Sequence, residues 1–294
     1  EAVPAIKLTA NITIDTTLNI DRAATLDLNG HVLRYENNTE KGSVIKVASG
    51  GDLTIRDSAP ATTHYYSVDP DTSLWTVLPD NTNAAGSIQG GIITGGTGTQ
   101  VFGFYNGGGV YVAPGGTLTM NGGSIVGCSA NTYTELDLSF GGGVYLGSST
   151  NSNVGTFTMN GGSIIGCTAG AGGGGVCVLS GCNFTMNTGA SIRSCTAAMG
   201  GGVYNSMGID DLLGTFTLSG GTIQSCKAIG RGGGGVSNSG EFIMQSGTIE
   251  GCTSVKIPNE SNKNSGILNS GQFTMRGGTI ADNVTNSGTI NTDG

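Results

Sequence analysis

Apolar residues return along this chain in short bursts that alternate inward and outward, and nowhere does a sustained helical period take over. The bursts belong to one repeating unit of three pieces. The first reads Gly-Gly-Val-Tyr-Val, as at Gly108–Val112, Gly142–Leu146 and Gly201–Tyr204. The second reads Thr-Phe-Thr-Met, as at Thr156–Met159 and, ending in Leu, Thr215–Leu218. The third is Ser or Thr, then Ile, then a variable residue, as at Ser124–Val126, Ser163–Ile165 and Thr279–Ala281. Period-two alternation, β-branched enrichment and Gly, Asn or Ser between the pieces predict three short strands per repeat. Met120, Met159, Met186, Leu218, Met244 and Met275 align the repeats at unequal spacing, so the unit keeps its core and varies its loops.

Three strands per repeat, each stacked on its counterpart in the next, describe an all-β chain wound as a right-handed, single-stranded parallel β-helix, a solenoid. Val110, Leu118, Met120 and Ile125 are expected to point inward. Leu118, Phe157, Phe184, Phe216, Phe242 and Phe273 should form one column, rung on rung about 4.8 Å apart. Cys128, Cys167, Cys195, Cys226 and Cys252 share one position, three residues after the inward Ile, with Asn283 there in the last coil. A column of parallel Cβ vectors suits neither a zinc tetrahedron nor neighbouring disulfides, so buried free thiols are expected. Cys177 stands where other coils have an outward Tyr and Cys182 lies in the following turn, which leaves a local bridge between them open.

Residues 1–42 are expected to supply an N-terminal cap and the first coil, and residues 43–294 the β-helix, with an inserted loop at 58–86. That loop holds Trp75, His64, Tyr65 and Tyr66. At the far end "NSGTINTDG" begins another coil with no cap in view, so further chain is expected beyond it. Composition narrows the partners. The 55 Gly without a G-X-Y period and only 6 Pro exclude collagen. Net charge −8 with no Lys/Arg cluster speaks against nucleic acid. No apolar run reaches the roughly 18 residues of a membrane helix. A chain starting at Glu1 fits a mature secreted protein or a trimmed piece of a longer one, expected here as a monomer.

The "GGGV" phrases followed by "LTMN" or "FTMN", ending at Asn121, Asn160 and Asn187, resemble the GGxx and FxxN repeats of polymorphic outer-membrane proteins and autotransporter passengers. With "TLDLNGHVL", "GGDLTIRDS" and "GGSIxGCTA" the chain is similar to bacterial right-handed β-helix repeat proteins, whose fold is pectate-lyase-like. The likeness spans nearly everything but the insertion, although Ser219, Gln245 and Arg276 replace the Asn in later coils. It implies a secreted or cell-surface protein, often an adhesin and sometimes a carbohydrate-active enzyme.

Chemistry on the outer face would show as acids on neighbouring rungs. The position after the inward Ile reads Val126, Ile165, Arg193, Gln224, Glu250 and Ala281, in which Arg193, Gln224 and Glu250 make a polar trio without a carboxylate pair. The remaining acids fall in loops, and His31 and His64 have no recognisable partner. No catalytic residue, metal ligand or cofactor is therefore assigned. The function expected is an adhesin or a module that binds glycans or host-surface molecules. A β-helix polysaccharide lyase or glycoside hydrolase is the alternative, and ice binding through the Thr-x-Thr face is a lesser one. Tyr111, Tyr145 and Tyr204 are expected as outward rings for sugar stacking. Two long loops, Gly147–Gly155 and Asn205–Gly214, should flank a notch over the short turn Leu179–Asn183. Its lining would be Tyr145, Tyr204, Asn151, Asn153, Asp210 and Asp211, with Cys177 and Cys182 at its floor.

Overall fold

The computed structural model describes residues 3–70, 73–131, 138–147, 153–208, 212–255 and 265–292. Among these, every regular element is a strand, and no helix is present that could cross a membrane. Three long parallel sheets of ten, nine and nine strands run the length of the described chain. Each coil visits them in turn. The Val sheet takes Val110–Val112, the Phe sheet Thr117–Met120 and the Ile sheet Ser124–Val126 before the next coil starts at Val144–Leu146. This is a parallel β-helix. A fourth sheet, of five two-residue strands such as Ser129–Ala130 and Thr168–Ala169, was not legible as a strand in the repeat. It forms because Ala130, Ala169 and Ala197 are small enough to pack on one another at the return from the Ile sheet. Ala5–Lys7, Ile12–Ile14 and Leu18–Ile20 give each long sheet its first strand.

The expected columns hold in register. Leu118 pairs with Phe157, then Phe184, Phe216, Phe242 and Phe273 follow on successive rungs. Their rings stack with centroids 4.7–5.0 Å apart, one rung spacing. The cysteine column is equally regular through Cys252, and all seven cysteines are buried free thiols. Asn283, expected to close that column, instead opens the Val-sheet strand Asn283–Asn286, paired with Ser265 and exposed. The residue before each column Cys adopts the left-handed region, with φ of 60° at Gly127, 59° at Gly166, 56° at Ser194, 54° at Ser225 and 63° at Gly251. That kink turns the chain out of the Ile sheet and aims the thiol inward. Each Sγ then lies near a carbonyl two residues back, as Cys195 does at 3.4 Å from Arg193 O. Burial, then the neighbouring Cys167 and Cys226 thiols, pushes the Cys195 thiol well above its ordinary range. Enclosed in this way, the column thiols pack as small apolar groups.

A second polar column went unread in the sequence. From Asn205 onward the inward apolar end of the Val sheet strand is replaced by asparagine: Val178 pairs with Asn205, then Asn238, Asn269 and Asn286 follow. Each amide Nδ2 donates to the Oδ1 of the next, all at 2.7 Å. Nδ2 of Asn205, Asn238 and Asn269 also reaches a carbonyl of the following coil, Glu241 O, Gln272 O and Thr289 O. Buried amides are tolerable when satisfied this way, and the one exception here is Asn205 Oδ1 at the head of the ladder, which is buried without a partner among the described residues. The recurring Asn-Ser-Gly at 238–240, 269–271 and 286–288 was the available signal.

The segment expected as a loop at 58–86 is a small domain-like flap. Thr63–Val68, Trp75–Leu78 and Gly86–Gln89 form a three-stranded antiparallel sheet. It lies on the outer face of the Ile sheet, where Trp75, Val77 and Ile88 cover Val32, Ile92, Val126 and Ile165. This is why Val126 and Ile165 are apolar at an outward position. Gly166 makes room for the flap, since a Cβ there would fall 2.1 Å from Trp75 Cγ. Tyr66 stacks on Trp75 at 4.1 Å, and Arg193, counted in the sequence as part of an outer polar ladder, sets its guanidinium carbon 5.9 Å from the Trp75 ring.

Two carboxylates fix the root of the flap. Asp57 accepts Gly30 N at 2.7 Å and Gly91 N at 2.7 Å, joining adjacent coils. Asp27 is 1% exposed and accepts Asn29 N and Ser58 N at 3.0 Å, with Arg56 Nε at 3.2 Å. Burial alone would raise its pKa, but the hydrogen bonds from Ser58 and Asn29 and the charge of Arg56 outweigh it and hold the carboxyl below its ordinary value. A lowered folded pKa means the stabilisation is complete above the unfolded value of about 3.9 and is lost as pH falls through the folded one. Asp27→Asn is therefore expected to lower the thermal midpoint at pH 7 by an amount corresponding to about 1–3 kcal/mol. The gap from wild type should shrink in melts recorded from pH 7 down to pH 3. A gap independent of pH would show that the charge of Asp27 does not matter.

Candidate functional site

Tyr111, Tyr145, Cys177 and Tyr204 do occupy one outward column of the Val sheet, pairing rung to rung. They are not exposed as expected. Tyr111 is 8% and Tyr145 6% exposed, stacked on each other at 5.3 Å, with Cys177 completely buried beside them. The expectation of open stacking rings is corrected, and the cause is physical. Val101, Phe140 and Leu179 close over the column, and Tyr204 is half-buried against Phe140 at 5.7 Å. Burial, followed by the nearby Cys177, pushes the Tyr145 hydroxyl far above its ordinary range.

The notch fares similarly at its floor. Cys182 is fully buried and donates to Gly147 O at 2.9 Å, and a Cβ on Gly155 would fall 3.2 Å from its sulfur. Gly181 N donates to Leu213 O at 3.1 Å, so the stem of the second loop rests on the short turn. Cys177 and Cys182 thus lie beneath covered turns, with no bridge between them. Asn153 is exposed and lies by Gly115 of the preceding coil, on the side away from the short turn's coil, whereas Asn151, Asp210 and Asp211 lie outside the described residues.

Elsewhere the outer faces are plainer. Outward Thr runs unbroken through Thr25, Thr54, Thr119, Thr158, Thr185 and Thr217. The companion column carries Asp52, Asn183 and Glu241 among its Thr residues, so paired Thr occupies only two rungs in succession. Asn121, Asn160 and Asn187, the FxxN asparagines, form an exposed amide ladder at 2.9 and 2.8 Å. No group of three His, Cys, Asp or Glu side chains among the described residues could hold a metal ion.

The concavity that does form lies where the flap meets the first coils. It measures about 370 Å³ and is lined by Asn11, Ile12, Thr13, Val32, Arg34, His64, Val77, Leu78 and Pro79. Thr13 and Arg34 are paired on neighbouring strands of the Ile sheet, and Asn11 Oδ1 accepts Val32 N at 2.9 Å. Arg34 reaches across to the flap and donates from Nη2 to Val77 O at 2.7 Å, while His64 Nε2 donates to Gly30 O at 2.8 Å. One bond each therefore orients a guanidinium from the floor and an imidazole from the flap in a groove whose lining contains no carboxylate. A second hollow of about 220 Å³ continues past Arg34 along Trp75 to Gly127. Sequence reasoning missed this site because a side chain from Ile12–Ile14 or Val32–Tyr35 becomes part of a cleft only once the flap is placed. The outward Arg34 in "HVLRY" was the one visible hint. Against this geometry, no protein-family model, no curated protein and no solved structure matches the chain.

Proposed function

We propose that the chain is a secreted or cell-surface binding module, an adhesin of the bacterial right-handed β-helix repeat type that holds glycans or other molecules of neighbouring surfaces. The observation that carries this reading is the groove of about 370 Å³ beneath the flap, whose apolar walls and convergent Asn11, Thr13, Arg34 and His64 have the make-up of a ligand site. Rigid strands supply its floor, so little ordering cost falls on binding. A panel of immobilised glycans tests the reading. Retention of the protein is expected, and Arg34→Gln, which removes the charge and draws the donor back from Val77 O, should weaken it at least about tenfold. Absence of retention on every surface, or indifference to Arg34→Gln, contradicts it.

Arg34 and His64 lining one groove also favours a second reading, a β-helix polysaccharide lyase, since such chemistry needs a proton acceptor. Release of shortened or unsaturated products on the same panel would establish the enzyme in place of the binder.

A further inference from the structure

Thr99–Val101 and Phe104–Asn106 form an antiparallel hairpin closed by Phe102 and Gly103. Both turn residues have positive φ, 50° and 87°. Two-residue turns of this hand match the twist of the strands and favour Asn at the first position and Gly at the second. Gly103 fits. Phe102 is unfavourable on two counts: its backbone lies in a region that bulky side chains avoid, and its ring is 97% exposed. Among the described residues, nothing packs on that ring.

The base of the hairpin, by contrast, is fixed. Val101 packs on the Tyr111–Tyr145 cluster, Ser43 Oγ and Thr99 Oγ1 bond at 2.8 Å, and Phe140 N donates to Asn106 Oδ1 at 2.9 Å. Cross-strand pairing sets Gln100 opposite Tyr105, on the face away from Val101. Lys41 Nζ lies 4.7 Å from the Tyr105 ring centroid and donates to Asn131 O at 2.7 Å. A strained, displayed ring on a rigid support, with an amide and a phenol on the adjoining face, is the kind of arrangement that clusters at ligand sites.

We infer that Phe102 is a stacking anchor for carbohydrate, its ring face taking the C–H face of a pyranose while Gln100 and Tyr105 meet the ring hydroxyls. The inference rests on the glycan-binding reading and adds a contact point outside the groove under the flap. A flat ring beside hydrogen-bonding side chains matches a sugar, which is apolar on its ring faces and polar at its rim. An apolar pocket on a partner protein would accept any large aliphatic group and would gain nothing from Gln100.

The test uses the whole chain and three variants, Phe102→Asn, Phe102→Leu and Phe102→Trp, on the same immobilised glycans, with thermal melts alongside. Phe102→Asn installs the preferred turn residue. It should raise the thermal midpoint by about 2 °C while weakening retention at least about tenfold. Phe102→Leu should lose binding as Phe102→Asn does, and Phe102→Trp should keep it within about threefold. Wild-type retention that Phe102→Asn leaves intact overturns the anchor and spares the glycan reading. No retention of the wild type overturns both. Binding preserved in Phe102→Leu overturns the sugar in favour of an apolar pocket, and Phe102-dependent uptake by phosphatidylcholine vesicles overturns it in favour of lipid. A midpoint lowered by Phe102→Asn overturns the claim of strain.

Discussion

Gly174→Ala is expected to leave the chain without a stable fold, giving no soluble protein or one whose melting transition is lost. A Cβ on Gly174 would stand 2.5 Å from Thr196 O and 2.6 Å from Gly201 O. Both are backbone atoms of the next coil, held in the stack by Thr196 N to Cys167 O at 2.9 Å and Gly174 N to Gly200 O at 3.2 Å. Neither can retreat without breaking rungs on both sides. The cost should be at least about 4 kcal/mol, in the range reserved for specific structural violations. Gly142, Gly201 and Gly234 meet the same obstacle, with Thr168 O, Lys227 O and Thr253 O at 2.2, 2.4 and 2.2 Å. Gly122→Ala is the control, because its nearest atom would be 3.4 Å away. It should change stability by no more than about 0.5 kcal/mol. Equal melting curves for Gly174→Ala and Gly122→Ala would contradict the packing described.

The second large effect is expected in the Phe column. Phe184 is fully buried between Phe157 and Phe216, with centroids at 4.8 and 5.0 Å and rings within 10° of parallel. Phe184→Ala removes a ring whose neighbours above and below are pinned by their own rungs, so the cavity cannot collapse. About 3–5 kcal/mol should be lost, the upper end of that range reflecting two stacked faces. Phe184→Leu refills most of the space and should cost about 1.5 kcal/mol or less. Urea titrations followed by circular dichroism and by the single Trp75 will report both. A Phe184→Ala loss below about 1.5 kcal/mol would mean that the rings do not stack as a column.

The columns were legible because each is written as one residue type at one place in a recurring phrase: Phe157, Phe184 and Phe216, or Cys167, Cys195 and Cys226. Inward positions obey only local periodicity and rung spacing, which a sequence displays directly. The outer faces obey a different rule, since their surroundings depend on what a distant segment does. Tyr145 is outward by alternation yet buried, because Phe140 and the hairpin strand containing Val101 come to lie over it. Val126 and Ile165 are apolar at an outward position for a reason that appears only once Trp75 covers them. Arg34 and His64 are distant in sequence and meet only through the flap. The Asn205–Asn286 ladder was legible in principle, but its Asn-Ser-Gly turns passed for ordinary loop punctuation.

The most direct test of the central claim, that one uninterrupted stack of coils supports both the groove and the hairpin, is a distance along the Phe sheet. Thr25 and Thr274 are outward, half-buried positions seven rungs apart in the strand order of that sheet. Cysteines at both sites can be spin-labelled while the seven native thiols stay buried. Double electron–electron resonance should give a single narrow distribution near 34 Å, seven steps of about 4.8 Å. A broad distribution, or a peak displaced by two rungs or more, would contradict the continuous stack.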